Sequence, residues 1–214
     1  MVREKSSNIK NIIFDLGGVI INLDIPRTIA AFNELSTVPF EKIYTQAQQS
    51  MIFDKFDRGQ ISDFEFFTSL RKELRYQGAD EELLKAWNAM LLDVPARRLD
   101  MLVKLKLEYR TFLLSNTNET HIQVFERELY RQHGVKNFNE YFEAAYYSCR
   151  VGMRKPDKEI FEMVLNKHKL LAKETVFIDD SEQHVRGAGD CGIRSYLLQP
   201  NMEAEDLLKE LRIL

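Results

Sequence analysis

The sequence predicts an α/β fold with a mainly parallel sheet, interrupted after its first strand by a small all-helical segment. Three observations support this prediction. Short apolar runs rich in β-branched and aromatic residues recur along the chain, amphipathic helical patterns lie between them, and one long stretch near the N-terminus is helical throughout. Because strands that alternate with helices form parallel sheets covered on both faces, we expect ligands to bind at the carboxyl ends of the strands.

The strands are predicted where the apolar runs are uninterrupted. They are Ile9–Leu16, Arg110–Ser115, Thr175–Asp179 and Arg194–Leu198, with Ala144–Ser148 as a weaker fifth. Apolar residues at three- and four-residue spacing predict the helices between these strands. They are Met101–Leu107, Thr120–His133, Pro156–Leu165 and Gln183–Gly189.

The stretch from Asp24 to Pro95 breaks the alternation, since only helical patterns occur in it. We therefore predict an α/β core formed by residues 1–23 and 96–214, with residues 24–95 as a helical domain inserted after the first strand. Its aromatic residues are expected to fill its own core. They are Phe64, Phe66, Phe67 and Trp87.

Residues 54–65 of this segment resemble a calcium-binding loop, with Asp at position 1, Gly at position 6 and Glu at position 12. Positions 3 and 5, however, are Phe56 and Arg58, which offer no oxygen ligands. The better interpretation is a tight turn between two helices, with Ser62 capping the second.

The composition is that of a folded protein, with 44% hydrophobic and 29% charged residues among 214. The net charge of −3 argues against a general nucleic-acid-binding protein, although it is compatible with small anionic substrates. Cys149 and Cys191 are too few for a disulfide framework or a zinc site, and two reduced thiols are typical of a cytoplasmic protein. The polar N-terminus predicts no signal peptide, and no apolar run is long enough to predict a membrane span.

Polar residues follow the first two predicted strands directly. Asp15 stands at the tip of the first strand before two glycines, in the sequence FDLGGV, where a turn is the alternative explanation. Ser115 and Asn116 close the second strand, in FLLSNT, just before a predicted helix. Hydroxyl, amide and backbone N–H groups at a helix start can bind an anion, but they also form ordinary helix caps.

Two further motifs add a cation and an acidic pair. In GMRKPD, Lys155 precedes Pro156 at a predicted helix start, where it could bind phosphate, although most lysines are simply solvated. In VFIDDS, Asp179 and Asp180 follow a wholly apolar strand. Like charges so close together favour a shared cation, and hard oxygen ligands suit Mg²⁺. Since parallel strands end at one edge of a sheet, the four motifs together predict a single site.

In this order and spacing, FDLGGV, LSNT, RKPD and IDDS resemble the haloacid dehalogenase (HAD) superfamily, and its phosphatases in particular, over essentially the whole chain. FDLGGV, GMRKP and FIDD most resemble the bacterial branch that contains α-D-glucose-1-phosphate phosphatases. The resemblance implies a Rossmann-like core with a helical cap domain. It also implies Mg²⁺-dependent hydrolysis of small phosphorylated metabolites. The net charge and the lack of a long apolar run predict neither nucleic acid nor membrane as a partner.

The resemblance further implies a nucleophile and a metal site. Asp15 would attack phosphorus and form an aspartyl-phosphate intermediate. Mg²⁺ would be held by Asp15, the backbone carbonyl of Gly17, Asp180 and Asp179, where it would stabilise charge on the phosphoryl group.

The phosphoryl group itself would be held by three further residues. The resemblance implies that Ser115 and Asn116 bind its oxygens, and that Lys155 stabilises both the nucleophile and the transferring group.

One position departs from the phosphatase pattern. Most family phosphatases carry a second aspartate two residues after the nucleophile, and this chain has Gly17 there. Losing a general acid and base typically costs about 10²–10⁴-fold in rate, which predicts a preference for esters with good leaving groups. The gap disfavours a phosphomutase, and the Asp179–Asp180 pair disfavours a metal-independent dehalogenase. Asp24 is a conceivable substitute, although it fits a helix N-cap better.

Gly17 also leaves an alternative of another class open: a catalytically weak HAD-like protein that binds phosphate or a protein partner. Retention of Asp15, Lys155 and both acids of the pair argues for the enzyme, since a decayed site need not keep them.

Overall fold

The computed structural model describes residues 8–44 and 51–214. Within them, one five-stranded parallel sheet has the strand order β3-β2-β1-β4-β5. The strands are β1 (Asn11–Phe14), β2 (Arg110–Ser115), β3 (Ala144–Tyr147), β4 (Thr175–Asp179) and β5 (Arg194–Leu197). The predicted α/β class with a parallel sheet is therefore confirmed. The first strand is shorter than predicted, because the backbone N–H groups of Ile20 and Ile21 bond to the Leu16 carbonyl and turn the chain there.

Four α-helices follow β1 in the described residues. They are α1 (Ile25–Leu35), α2 (Met51–Asp57), α3 (Asp63–Leu74) and α4 (Asp80–Asn88). The remaining helices accompany the sheet. They are α5 (Ala96–Lys106), α6 (Glu119–His133), α7 (Ser148–Val151), α8 (Lys158–His168), α9 (Glu182–Asp190) and α10 (Ala204–Glu210). None of the described helices has both the length and the apolar character needed to cross a membrane.

Apolar residues cover both faces of the sheet, as a parallel sheet requires. Ile12 and Phe14 of β1 belong to a cluster that includes residues of α5, α6 and α10. Ile13, between them, belongs to a cluster on the opposite face with residues of α8 and α9. Since side chains alternate along a strand, the uninterrupted apolar run of β1 is what a strand buried on both sides needs.

The segment between β1 and α5, here called the helical insertion (residues 24–95, described at 24–44 and 51–95), packs around an aromatic cluster of its own. Phe53, Phe66 and Trp87 are buried in it, whereas Phe64, expected to be buried as well, is 75% exposed. The two segments that connect the insertion to the core are hydrogen-bonded to each other. The Asn22 N–H donates to the Asp93 carbonyl, and the Leu92 N–H donates to the Asn22 carbonyl.

The turn between α2 and α3 is a tight one, as predicted. Ser62 caps α3 in a reciprocal arrangement with Glu65, in which each side chain accepts a hydrogen bond from the other residue's backbone N–H. Gly59 adopts a left-handed conformation in this turn, with φ of 64°.

Candidate active site

Lys155 is the centre of a buried ionic cluster at the carboxyl edge of the sheet. Its ammonium nitrogen Nζ donates to Asp15 Oδ1 at 2.5 Å and to Asp179 Oδ2 at 2.6 Å. Asp15 follows β1 and Asp179 ends β4, so two neighbouring strands deliver the two carboxylates. Lys155 is completely buried, which rules out a solvated surface lysine. Burial by itself would lower its pKa, but the charges of Asp15 and Asp179 raise the pKa above its usual value, so the side chain stays protonated.

The loop that carries Lys155 is held by Asn116. The Asn116 side-chain oxygen accepts from the Lys155 backbone N–H at 2.9 Å, and its Nδ2 donates to the Lys155 carbonyl at 2.9 Å. The prediction that a helix begins at Pro156 is wrong, since α8 begins at Lys158. The polar backbone groups at position 155 are satisfied by Asn116 instead of by a helix, and Asp157 takes the N-cap position.

Asp15, Asp179 and Asp180 form a cluster in which one oxygen of each lies within 4.8 Å of the others. Burial and the nearby Asp179 raise the pKa of Asp15, although Lys155 opposes them. Despite burial, Lys155 and His184 lower the pKa of Asp179 to about 2. Desolvation and the charges of Asp15 and Asp179 raise the pKa of Asp180 to about 7. The cluster therefore carries more negative charge than Lys155 alone offsets.

Two glycines shape the turn after Asp15. Gly18 has a φ of 73°, and a Cβ atom at this position would lie 2.2 Å from Asp180 Oδ2. Glycine is therefore required for Asp180 to approach the turn. At Gly17, where the family pattern has its second aspartate, a Cβ atom would lie 2.5 Å from Cδ1 of Leu23. An apolar side chain thus fills the space beside this position.

His184 contacts both the acidic cluster and the loop after β2. Its Nδ1 lies 3.0 Å and 3.1 Å from the two carboxylate oxygens of Asp179, and its Nε2 lies 3.4 Å from Asn116 Nδ2. The backbone N–H of Ser181 donates to Asp179 Oδ1 at 2.8 Å. The early position of His184 in α9, just after the acidic pair, was the only sequence signal for this contact.

A cavity of about 490 Å³ opens above these groups and is lined by both the core and the helical insertion. Its core side includes Asp15, Gly17, Ser115, Asn116, Asp180 and His184. Its insertion side includes Tyr44, Asp54, Arg58, Trp87, Met90 and Leu91. Among the residues predicted for the site, Lys155 and Asp179 lie behind this surface, in contact with Asp15 and His184 respectively. Asp24 is not part of the lining, and its carboxylate pairs with Arg27 at 3.1 Å.

His121 joins the core to the insertion at the cavity wall. Its ring stacks on Trp87 with centroids 4.9 Å apart, and its Nε2 lies 3.3 Å from the Trp87 carbonyl oxygen. Burial lowers the pKa of His121 to about 4, so the ring is neutral at pH 7. Sequence reasoning missed this contact, because a lone histidine on a helix gives no sign of a partner on a distant segment.

Comparison with known proteins identifies the family. Residues 9–192 match the family described as haloacid dehalogenase-like hydrolase. The chain therefore belongs to the haloacid dehalogenase-like hydrolases, which confirms the resemblance of its motifs to that superfamily.

Individual relatives align over nearly the full length. A D-ribitol-5-phosphate phosphatase from Bacteroides thetaiotaomicron is 30% identical over 197 residues, covering 92% of this chain and 94% of that protein. A wild-type HAD family enzyme from the same organism, crystallised in complex with magnesium and inorganic phosphate, is 36% identical with a TM-score of 0.82, covering 93% of this chain and 98% of that one. A HAD-like family hydrolase from Porphyromonas gingivalis is 27% identical with a TM-score of 0.85, covering 96% and 98%.

Proposed function

We propose that this chain is a Mg²⁺-dependent phosphatase that hydrolyses small phosphate monoesters in the cavity between the core and the helical insertion. The observation that carries the proposal is the buried Lys155, which joins two strand-end carboxylates beside a third. In this proposal residues 1–23 and 96–214 form the catalytic core, and residues 24–95 form a cap. The predicted cytoplasmic location stays a prediction.

The acidic cluster fits a magnesium ion by its chemistry. Asp15, Asp179 and Asp180 provide hard oxygen atoms. The pKa of Asp180 is raised first by burial and then by the charges of Asp15 and Asp179, which a cation would offset. The carbonyl oxygen of Gly17 is proposed as a further ligand. When bound, Mg²⁺ would supply positive charge against the phosphoryl oxygens.

Asp15 is the proposed nucleophile. A carboxylate oxygen attacks phosphorus, the bond from phosphorus to the leaving-group oxygen breaks, and an aspartyl-phosphate forms that water then hydrolyses. The Lys155 ammonium group orients Asp15 and places positive charge beside the transferring group.

Ser115 and Asn116 are proposed to bind the phosphoryl oxygens. Ser115 ends β2 at the cavity wall, which suits this role. The Asn116 side chain is engaged with both backbone groups of Lys155, so its backbone N–H is the group we assign to phosphate.

The class of substrate follows from the cavity and from the leaving group. A sugar or polyol phosphate fits the 490 Å³ cavity, and the relative that acts on D-ribitol 5-phosphate supports this class. Gly17 offers no proton to a leaving alkoxide, which favours sugar 1-phosphates, acyl phosphates and aryl phosphates. α-D-glucose 1-phosphate is therefore kept as a candidate beside ribitol 5-phosphate.

The experiment compares phosphate release from p-nitrophenyl phosphate, glucose 1-phosphate and ribitol 5-phosphate, with Mg²⁺ and with EDTA. We expect release that requires Mg²⁺ and exceeds that of an Asp15→Asn variant for at least one sugar or polyol phosphate. Release that EDTA leaves unchanged, or no release from any of the three, would favour the alternative of a phosphate-binding protein.

A further inference from the structure

Five charged residues at the cavity mouth join the helical insertion to the core. We call them the latch cluster: Asp54, Asp57 and Arg58 from α2 and its C-terminal end, with Arg154 and Asp157 from the loop before α8. Two hydrogen-bonded ion pairs cross between the two parts. Arg58 Nη2 donates to Asp157 Oδ2 at 2.7 Å, and Arg154 Nη1 donates to Asp54 Oδ1 at 3.0 Å.

The core residues of the latch cluster stand on either side of the buried lysine. Arg154 immediately precedes Lys155, and Asp157 follows it by two residues. Asn116 holds this loop from the core side, through the backbone of Lys155. The insertion therefore holds the same loop as well, through a hydrogen-bonded ion pair on each side of the lysine in the sequence.

The backbone of the turn after α2 packs closely against the core at Gly59. A Cβ atom on Gly59 would lie 2.1 Å from the carbonyl oxygen of Cys149, in α7 of the core. Only a glycine permits so close an approach, and the left-handed φ of 64° also favours glycine. The crossing ion pairs thus accompany close backbone packing of the insertion on the core.

The ion pairs of the latch cluster are partly exposed to solvent. Burial alone would raise the pKa of Asp54, but hydrogen bonds from Arg58 and Arg154 lower it. The side chains of Arg58 and Asp157 are 20% and 41% exposed, so added salt is expected to screen their attraction. The Asp157 side chain makes no hydrogen bond that caps α8. Removing its charge therefore does not remove a capping hydrogen bond from that helix.

We propose that Arg58 and Asp54 of the helical insertion are positioning residues for the reaction, which hold the Lys155 loop in its catalytic geometry when the insertion lies over the site. This inference rests on the proposed function, since it assumes that Lys155 takes part in the chemistry. Its consequence is that loss of a crossing pair lowers kcat at saturating substrate, because the lysine is displaced. Since Arg58 and Asp54 also line the cavity, a change in KM is expected to accompany the fall in kcat and does not replace it.

The test is a double-mutant cycle with Arg58→Gln, Asp157→Asn and the double variant, measured with Mg²⁺ and whichever of the three phosphate esters the wild-type protein hydrolyses fastest. Misplacement of a catalytic group by about 1 Å costs up to roughly 100-fold, so we expect each single variant to lose about tenfold in kcat. The double variant should lose no more than the worse single variant, since both changes break the same pair.

A matched control is the ion pair of Arg110 and Glu143. Its nitrogen–oxygen distances are 2.6 Å and 2.7 Å, its side chains are 42% and 40% exposed, and it lies at the opposite end of β2 from the cavity. Arg110→Gln should leave kcat unchanged. Independent losses in the double variant, or a change in KM alone, would overturn the positioning role.

Ionic strength provides a second measurement, which weakens the crossing ion pairs of the wild-type protein without any substitution. Between about 0.1 M and about 1 M salt the Debye length falls from about 10 Å to about 3 Å, so kcat of the wild-type protein at saturating substrate should fall. The double variant should respond less, because it has lost the Arg58–Asp157 pair and keeps the Arg154–Asp54 pair. An equal response in both proteins would count against the inference. If Lys155→Met keeps full activity, the proposed function itself fails. If it abolishes activity while the cycle is additive, only the latch inference fails.

Discussion

The floor and the roof of the cavity are built in different ways. The floor consists of groups at the ends of neighbouring parallel strands, and Lys155 and Asp179 within it are completely buried. The roof consists of side chains from the helices of the insertion and from the segments that follow them, and its charged members, such as Asp54, are partly exposed. The position of the floor is therefore fixed by the sheet. The position of the roof depends on the contacts between the helical insertion, which has an aromatic cluster of its own, and the core.

This difference assigns different work to the two regions. A buried, hydrogen-bonded ionic cluster is suited to chemistry, because its groups are oriented before a substrate arrives. A roof of aromatic, apolar and paired charged side chains is suited to selecting a substrate and to holding the loop of Lys155 through ion pairs. Substitutions in the floor should accordingly change the rate of the chemical step most, and substitutions in the roof should have smaller effects.

The largest effect is expected for Asp15→Asn, which removes the proposed nucleophile from the floor. We expect a loss of roughly 10⁴-fold or more in kcat, since residual catalysis without a nucleophile comes only from binding and electrostatics. Steady-state phosphate release measures it, with the melting temperature as a control for folding. A variant within tenfold of the wild-type rate would disprove the covalent route.

Lys155→Met should reduce kcat by roughly 10³-fold, an amount typical of removing an electrostatic stabiliser. It also leaves Asp15 and Asp179 without the cation between them. Breaking a buried ion pair costs about 3–5 kcal/mol, so the free energy of unfolding in EDTA should fall by that amount. Urea titration measures it. An unchanged free energy of unfolding would show that the cluster does not need the lysine to fold.

A third change tests the absence of a second aspartate at position 17, at the edge of the floor. Gly17→Asp, combined with Leu23→Ala to free the space that Leu23 fills, introduces a proton donor. We expect the rate on ribitol 5-phosphate to rise by about 10–100-fold relative to that on p-nitrophenyl phosphate, because only the alkoxide needs the proton. Leu23→Ala alone is the control. Equal changes for both substrates would show that protonation does not limit the wild-type enzyme.

The smallest effect on kcat is expected at the contact between floor and roof, where His121 stacks on Trp87 and the expected change is in stability. Its pKa falls from 6.5 to about 4 on folding, so the unfolded chain binds more protons between these values and stability is lost as the pH falls from 6.5 towards 4. This difference between the pKa of the folded and of the unfolded chain corresponds to about 3 kcal/mol. His121→Phe keeps an aromatic ring but cannot titrate. As the pH falls from 6.5 to 4, the unfolding free energy of the variant should therefore fall by about 3 kcal/mol less than that of the wild-type protein. Parallel pH curves for the two proteins would contradict this origin.

Much of the floor was predictable from the sequence because it follows from strand topology. Asp15, Ser115 and Asp179 each close an apolar run, and parallel strands bring such ends together without further information. The prediction was poorest where backbone groups find a partner far along the chain. The start of α8 was misplaced because Asn116, which holds the Lys155 backbone, lies 39 residues away.

The sequence alone thus determined the parallel α/β class, the helical character of the described parts of the insertion (residues 24–44 and 51–95) and which polar groups lie at one edge of the sheet, since local periodicity and strand polarity are properties of the sequence itself. The tertiary structure decided the burial of Lys155 between two carboxylates, the filling of the space beside Gly17 by Leu23, and the pairing of Arg58 with Asp157. These contacts join segments whose approach depends on packing of the whole molecule, which no local pattern of residues encodes.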